Sequence, residues 1–241
     1  MKHLRTDETW VFYVYVGLLD MKELAERVVS LLNVMEYGTQ PSANDPDWLG
    51  PSCWVDVPSQ SGNGHFISEQ GQVALALFDA VVSLDHNKGR LFDEDGRPNA
   101  FIIAPFRDVA DAVRRLLAQR GFDCAEEISG TVHTFQGKES DVVILLLGGD
   151  LKKPCAISSF AAGQPNLLNV ALTRAKRRIY VVGQRDQWAK HSFYSILADR
   201  LPTVTAAQIL GSGNSEQDDL PRTGQRSRPG STALEDKRGH G

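Results

Sequence analysis

Three cysteines, no long apolar run and no excess of positive charge leave several protein classes out of reach for this chain of 241 residues. Cys53, Cys124 and Cys155 are odd in number, far apart and not arranged as CxxC, so they form neither a disulfide framework nor a zinc site. That pattern fits a reducing, cytoplasmic compartment, with isolated thiols rather than a redox centre. No apolar stretch reaches the ~18 residues that a membrane-spanning helix needs, so no membrane association is expected. Lys2, His3 and Arg5 precede a short apolar run over 10–19, but Asp20, Lys22 and Glu23 follow without a small-residue cleavage site, which argues against a secretory leader. The net charge of −4 excludes a globally basic nucleic-acid binder while permitting a local basic face. No G-x-x-x-x-G-K-[ST] loop is present to cradle a nucleotide's phosphates. A G-x-S-x-G elbow, an H-E-x-x-H pair and any matched nucleophile and base are missing too, which ranks an unrelated small α/β enzyme last.

What is present is strand-and-helix alternation. Apolar residues make up 41% of the chain, enough for one good-sized core. Strands are expected over 53–57, 100–104, 142–147 and 179–182, and helices over 68–84, 108–120, 166–176 and 186–200. Ser68 and Glu69 suit a helix start, and Val109, Val113, Leu116 and Leu117 share one helical face. Strand 142–147 is apolar on both faces, as a central parallel strand should be. The expectation is an α/β fold with a parallel sheet flanked by helices. From about Gly211 the chain turns to Gly, Ser, Pro, Asp and Arg, too little apolar surface to offset the entropy of ordering, so a disordered C-terminal tail is expected.

Two polar clusters stand beside expected strands, and ligands in open α/β folds bind at strand ends. The first is Gln136-Gly137-Lys138-Glu139, just before strand 142–147, where a glycine lets backbone approach a phosphate closely. The second is Arg174, on a helix whose other face carries Leu168, Ala171, Leu172 and Ala175. A guanidinium held on a rigid element suits phosphate recognition and the charge of a transferring phosphoryl group. Taken alone, each feature reads more plainly. Residues 136–139 make a turn leading into a strand, His133 is a hydrogen-bonded histidine, and the run Arg174, Lys176, Arg177, Arg178 is a solvated helix end.

The two clusters together carry a more specific signal. Thr131-Val-His-Thr-Phe-Gln-Gly-Lys-Glu139 resembles motif V, and Val170-Ala-Leu-Thr-Arg-Ala-Lys176 resembles motif VI, of superfamily 1 helicases, in the branch that includes the nonsense-mediated-decay helicase and its bacterial relatives. Ile102-Ile-Ala-Pro-Phe-Arg107 resembles motif IV, and Trp54-Val-Asp-Val57 a strand before it. The resemblance covers about residues 48–201. It implies a RecA-like, P-loop-NTPase-type second motor domain over 48–203, between a poorly matched segment over 1–47 and a disordered tail over 204–241. In such motors ATP with Mg²⁺ lies between two RecA-like domains. By that resemblance Arg174 is the catalytic arginine finger, and Gln136, Gly137, Lys138 and Glu139 lie near the nucleotide. Pro105, Phe106, Arg107, Thr131, His133 and Thr134 lie along single-stranded DNA or RNA, and no residue is assigned to a metal. The expected partners are the nucleic acid and a first RecA-like domain, in the same protein or supplied separately. The chain would then be half of an ATP-dependent helicase, inactive alone. Its nucleotide crevice should be open to solvent, with Arg174, Gln136 and Glu139 converging where neighbouring strands begin or end. The alternative is a non-catalytic nucleic-acid-binding or adaptor module derived from such a domain. Leu91-Phe-Asp-Glu-Asp-Gly96 imitates a magnesium-binding Walker B strand, but Asp95-Gly96 is a turn signal and no buried strand precedes it.

Overall fold

The computed structural model describes residues 52–58, 64–83, 92, 96–150, 157–162 and 165–211. The expected segment over 1–47, the acidic triplet Asp93, Glu94 and Asp95, Cys155 and residues 212–241 lie outside them.

Six strands form one wholly parallel sheet: β1 (Cys53–Asp56), β2 (Ala100–Ala104), β3 (Ser129–Thr131), β4 (Ser140–Leu146), β5 (Ala175–Gly183) and β6 (Thr203–Thr205), in the spatial order β3-β2-β4-β5-β1-β6. The fold is α/β with a parallel sheet, as the alternation of elements requires, and it is RecA-like, as the motif resemblance implies. β4 and β5 are central. Val143, Ile144, Ile179, Tyr180, Val181 and Val182 are each 0% exposed, the double-sided burial that a continuous apolar strand implies.

Between the strands run α1 (Ser68–Ser83), α2 (Arg107–Gln119), α3 (Ala125–Ile128), α4 (Pro165–Arg174), α5 (Arg185–Trp188) and α6 (Ser192–Arg200), and α7 (Ala206–Gly211) follows β6. A 3₁₀ turn, Val132–Phe135, joins β3 to β4, and a π-turn, Ile157–Ala161, precedes α4. The chain steps from β1 to β2 to β3 in one direction along the sheet, then from β4 to β5 to β6 in the other. Right-handed crossovers therefore place α1 and α2 on one face and α4 and α6 on the opposite face. The α1–α2 pair is tied by an Arg120–Asp79 ion pair, and α4 packs against α6.

Several expected boundaries move, each for a local reason. Helix 166–176 ends at Arg174 because the β4–β5 ladder begins at Ser140↔Ala175 and captures the next residues. Lys176, Arg177 and Arg178 are thus strand residues, and Arg178 is 3% exposed rather than part of a solvated helix end. Helix 186–200 divides into α5 and α6. The indole of Trp188, 0% exposed, donates to the Gly148 carbonyl at 3.0 Å and anchors the chain there, while extended His191 restarts the helix. The boundary expected at residue 203 falls inside the fold: β6 pairs with β1, and α7 packs on α1.

Candidate nucleotide-binding site

Residues 135–138 form a type II turn. The Lys138 N–H donates to the Phe135 carbonyl at 3.0 Å, Gln136 sits at φ −60 and ψ 126, and Gly137 takes φ +82. The plain reading of a turn leading into a strand is correct, and the glycine is there for its positive φ. Gln136, Gly137, Lys138 and Glu139 are all exposed. β4 starts immediately after them, fixed by Ser140 Oγ donating to the Asn99 carbonyl at 2.7 Å and the Asp141 N–H donating to Asn99 Oδ1 at 3.3 Å.

Arg174 is the last residue of α4, and its guanidinium reaches this turn. Nη1 donates to the Lys138 carbonyl at 3.0 Å, Nε to the Val170 carbonyl at 3.2 Å, and Nη2 to Thr173 Oγ1 at 3.1 Å. The two clusters, far apart in sequence, therefore meet where β4 and β5 begin side by side. Glu139 adds a second link through Lys176 at 3.4 Å, and Lys138 Nζ lies 5.0 Å from the centre of the Phe135 ring. The Glu139–Lys176 pair is about half exposed on both sides, so it contributes little to stability. A bulge in β5 between the Ser140 and Val142 pairings accommodates Lys176.

One feature differs from the expectation. Arg174 is 5% exposed, held in its own domain's hydrogen bonds rather than projecting into an open crevice, while the 136–139 turn is open. The meeting point lies at the amino ends of β4 and β5, just before strand 142–147 as expected, and opposite the carboxyl-end crevice common in open α/β sheets.

The residues assigned to nucleic acid occupy the other end and the connection between. Pro105, Phe106 and Arg107 follow β2, and Thr131, level with Ala104, closes β3. Pro105 and Phe106 are buried, Phe106 stacked on His65 at 3.9 Å and 7°, whereas Arg107 is exposed and 3.7 Å from Asp111. Thr131 and Thr134 bond each other reciprocally: the Thr134 N–H donates to Thr131 Oγ1 at 3.4 Å, and Thr134 Oγ1 donates to the Thr131 carbonyl at 2.8 Å. His133 and Thr134 are exposed.

His65, Gln70 and Thr173 were not singled out from the sequence. Nδ1 of His65 accepts from the Asp150 N–H at 3.2 Å, its carbonyl accepts from Gly149 at 2.9 Å, and Gln70 Oε1, 0% exposed, accepts from Gly148 at 3.1 Å. The glycine pair after the apolar strand, with φ of +62 and +127, was the available signal for this polar junction. Burial pushes the Cys53 thiol up to about 12, and burial, with Lys190 nearby, holds His191 below its usual range. Among the described residues, no three His, Cys, Asp or Glu side chains are grouped as a metal would need, and no helix is long and apolar enough to cross a membrane.

A family model described as an AAA domain matches residues 12–186. The chain belongs to this family. Together with the parallel α/β sheet, the match makes it a helicase-type domain. The AAA-domain match reaches well ahead of residue 48, into the segment where motif resemblance had faded. No curated protein matches the chain.

Proposed function

We propose that this helicase-type AAA domain is the second motor domain of an ATP-dependent DNA or RNA helicase, working with a first RecA-like domain in the same polypeptide or in a partner. Arg174 is its arginine finger. The exposed residues Gln136, Gly137, Lys138 and Glu139 form the adjoining wall for ATP and its Mg²⁺, and the first domain supplies the phosphate loop that this sequence lacks. Pro105, Phe106, Arg107, Thr131, His133 and Thr134 lie along the single strand, giving backbone contacts that are sequence-tolerant and salt-sensitive. The observation that carries the reading is the hydrogen bond from Arg174 to the Lys138 carbonyl, which unites two motor-like segments at adjoining strand starts.

Chemically, a preorganised guanidinium stabilises charge developing on the transferred phosphoryl group, and partial desolvation strengthens its field there. Because Arg174 is 5% exposed, the reading requires it to exchange a protein acceptor for a phosphate oxygen when the two domains close. The observation favouring the adaptor alternative is the same burial, which a purely structural arginine would share.

Turnover decides between them. The isolated chain should hydrolyse ATP well below ~1 s⁻¹, the low end for complete phosphoryl-transfer enzymes. Combined with a first motor domain, Arg174→Ala should reduce turnover about 10³-fold or more, and Arg174→Lys should not restore it, since an ammonium lacks the planar fork. Affinity for single strands without ATP should be unchanged. If Arg174→Ala leaves turnover intact while the assembled motor is active, the finger assignment fails and the adaptor reading takes its place.

A further inference from the structure

We propose that Thr173 is the positioning residue of the Arg174 finger, its hydroxyl fixing the plane of the guanidinium while the group changes partners. This rests on the finger reading given above.

Neighbouring residues on a helix do not ordinarily face each other. Thr173 and Arg174 meet because α4 ends at Arg174 and the chain passes straight into β5, so the guanidinium folds back over the last turn. There Nε donates to the Val170 carbonyl at 3.2 Å and Nη2 to Thr173 Oγ1 at 3.1 Å. The Thr173 hydroxyl also lies 3.0 Å from both the Asn169 and Val170 carbonyls. It has one proton, which goes to these helix carbonyls, and its lone pairs remain to receive the guanidinium. The helix thus sets the direction in which the hydroxyl accepts.

Three acceptors on three different nitrogens define a plane, and they are not equivalent. Val170 and Thr173 belong to Arg174's own helix and travel with it. Lys138 belongs to the turn before β4, so its carbonyl is the partner that a phosphate oxygen can replace without loosening the other two. Of the three, only Thr173 contributes through a side chain, so it alone can be deleted without disturbing the backbone. The half-buried position accepts valine in shape, which removes the hydroxyl and leaves the branching.

The test uses the full chain with ¹⁵N-labelled arginine, and then the same chain combined with a first motor domain. In the wild type, the Arg174 Nε–H and Nη–H signals should exchange slowly with water; Thr173→Val should speed that exchange and Thr173→Ser should preserve it. In the assembled motor, Thr173→Val should lower kcat about 10- to 100-fold, the loss of one hydrogen bond to a charged group, with KM for ATP nearly unchanged. Thr173→Ser should recover most of that loss. A helix-stabilising role alone would lower thermal stability and leave both the guanidinium signals and kcat as they were. If Arg174→Ala abolishes turnover but Thr173→Val does not lower it, the positioning role is overturned and the finger stands. If Arg174→Ala has no effect, both fall.

Discussion

Replacing Gly137 isolates a backbone effect, because a Cβ built there meets nothing within 4 Å. The only obstacle is the φ of +82, at the third position of the type II turn. An alanine forced into left-handed backbone costs roughly 1–2 kcal/mol, whereas asparagine tolerates the region and costs less. For a domain of this size, each kcal/mol shifts Tm by about 2–4 °C, so Gly137→Ala should lower Tm by about 2–8 °C. Gly137→Asn should fall between, and Gly137→Val below alanine, since a β-branched side chain suits positive φ least. The assay is thermal unfolding of the full chain by near-ultraviolet circular dichroism, which reads the fixed environments of Trp54 and Trp188, both 0% exposed. The order of the series matters more than any one value. Alanine as stable as asparagine, or stabilising, would refute the turn assignment. Because the turn aims the Lys138 carbonyl at Arg174 Nη1, the Arg174 Nη–H signal should also move more in the alanine variant than in the asparagine one.

Two further outcomes follow from titration shifts. Cys53, 1% exposed with its thiol pushed up to about 12 by burial, should resist iodoacetamide at pH 8 until urea unfolds the chain; mass-mapped labelling of the native protein at a free-thiol rate would contradict this. His191 is held below the usual histidine pKa of about 6.5, chiefly by burial and secondarily by Lys190, so on acidification the unfolded chain takes this proton first. Its contribution to stability is therefore present above about pH 6.5 and lost as pH falls through the lower folded value. Urea midpoints for the wild type should drop more steeply from pH 7 to 5 than those for His191→Gln, and parallel curves would count against it.

Where a segment's own composition decides its state, the sequence is an adequate guide. Strand 100–104 appears at its expected limits, and the apolar runs over 142–147 and 179–182 sit at the centre of the sheet, because burial on both faces demands such runs. Long-range partners decide the rest. β3 is only Ser129, Gly130 and Thr131, with no apolar pattern, and it exists because β2 offers a ladder at Ile102 to Ala104. The strand character of Lys176 to Arg178 likewise depends on β4, against the local preference of a basic run for a helix end. The candidate site follows the same division. Residues 136–139 and Arg174 were legible as two separate motifs, but Arg174's burial depends on a carbonyl 36 residues away. Gln70 is recognisable as more than a core polar residue only once Gly148, 78 residues on, is seen to donate to it.

The position of the site at the amino ends of β4 and β5 has a structural cause in the link from β3. Thr131 is level with Ala104, while Val142, just inside β4, is level with Ala100, so residues 132–139 must run back along β2 within a single short connection. A helix would not fit in so few residues, and the chain uses a 3₁₀ turn followed by the type II turn instead. This connection is pinned along its length: Thr131 and Thr134 bond reciprocally, the Phe135 ring packs on Phe101 at 4.5 Å, and a Cβ on Gly130 would collide with the Thr134 hydroxyl and the Phe135 ring. On the proposed assignment, His133 and Thr134 meet the nucleic acid and residues 136–139 meet the nucleotide, so both ligands act on the same pinned segment. Displacement at one end cannot be absorbed by slack between them, because the intervening Phe135 is 1% exposed and packed. On that assignment residues 132–139 are a stiff link between the two ligands, and it is shorter than each of the crossover helices α1, α2, α4 and α6.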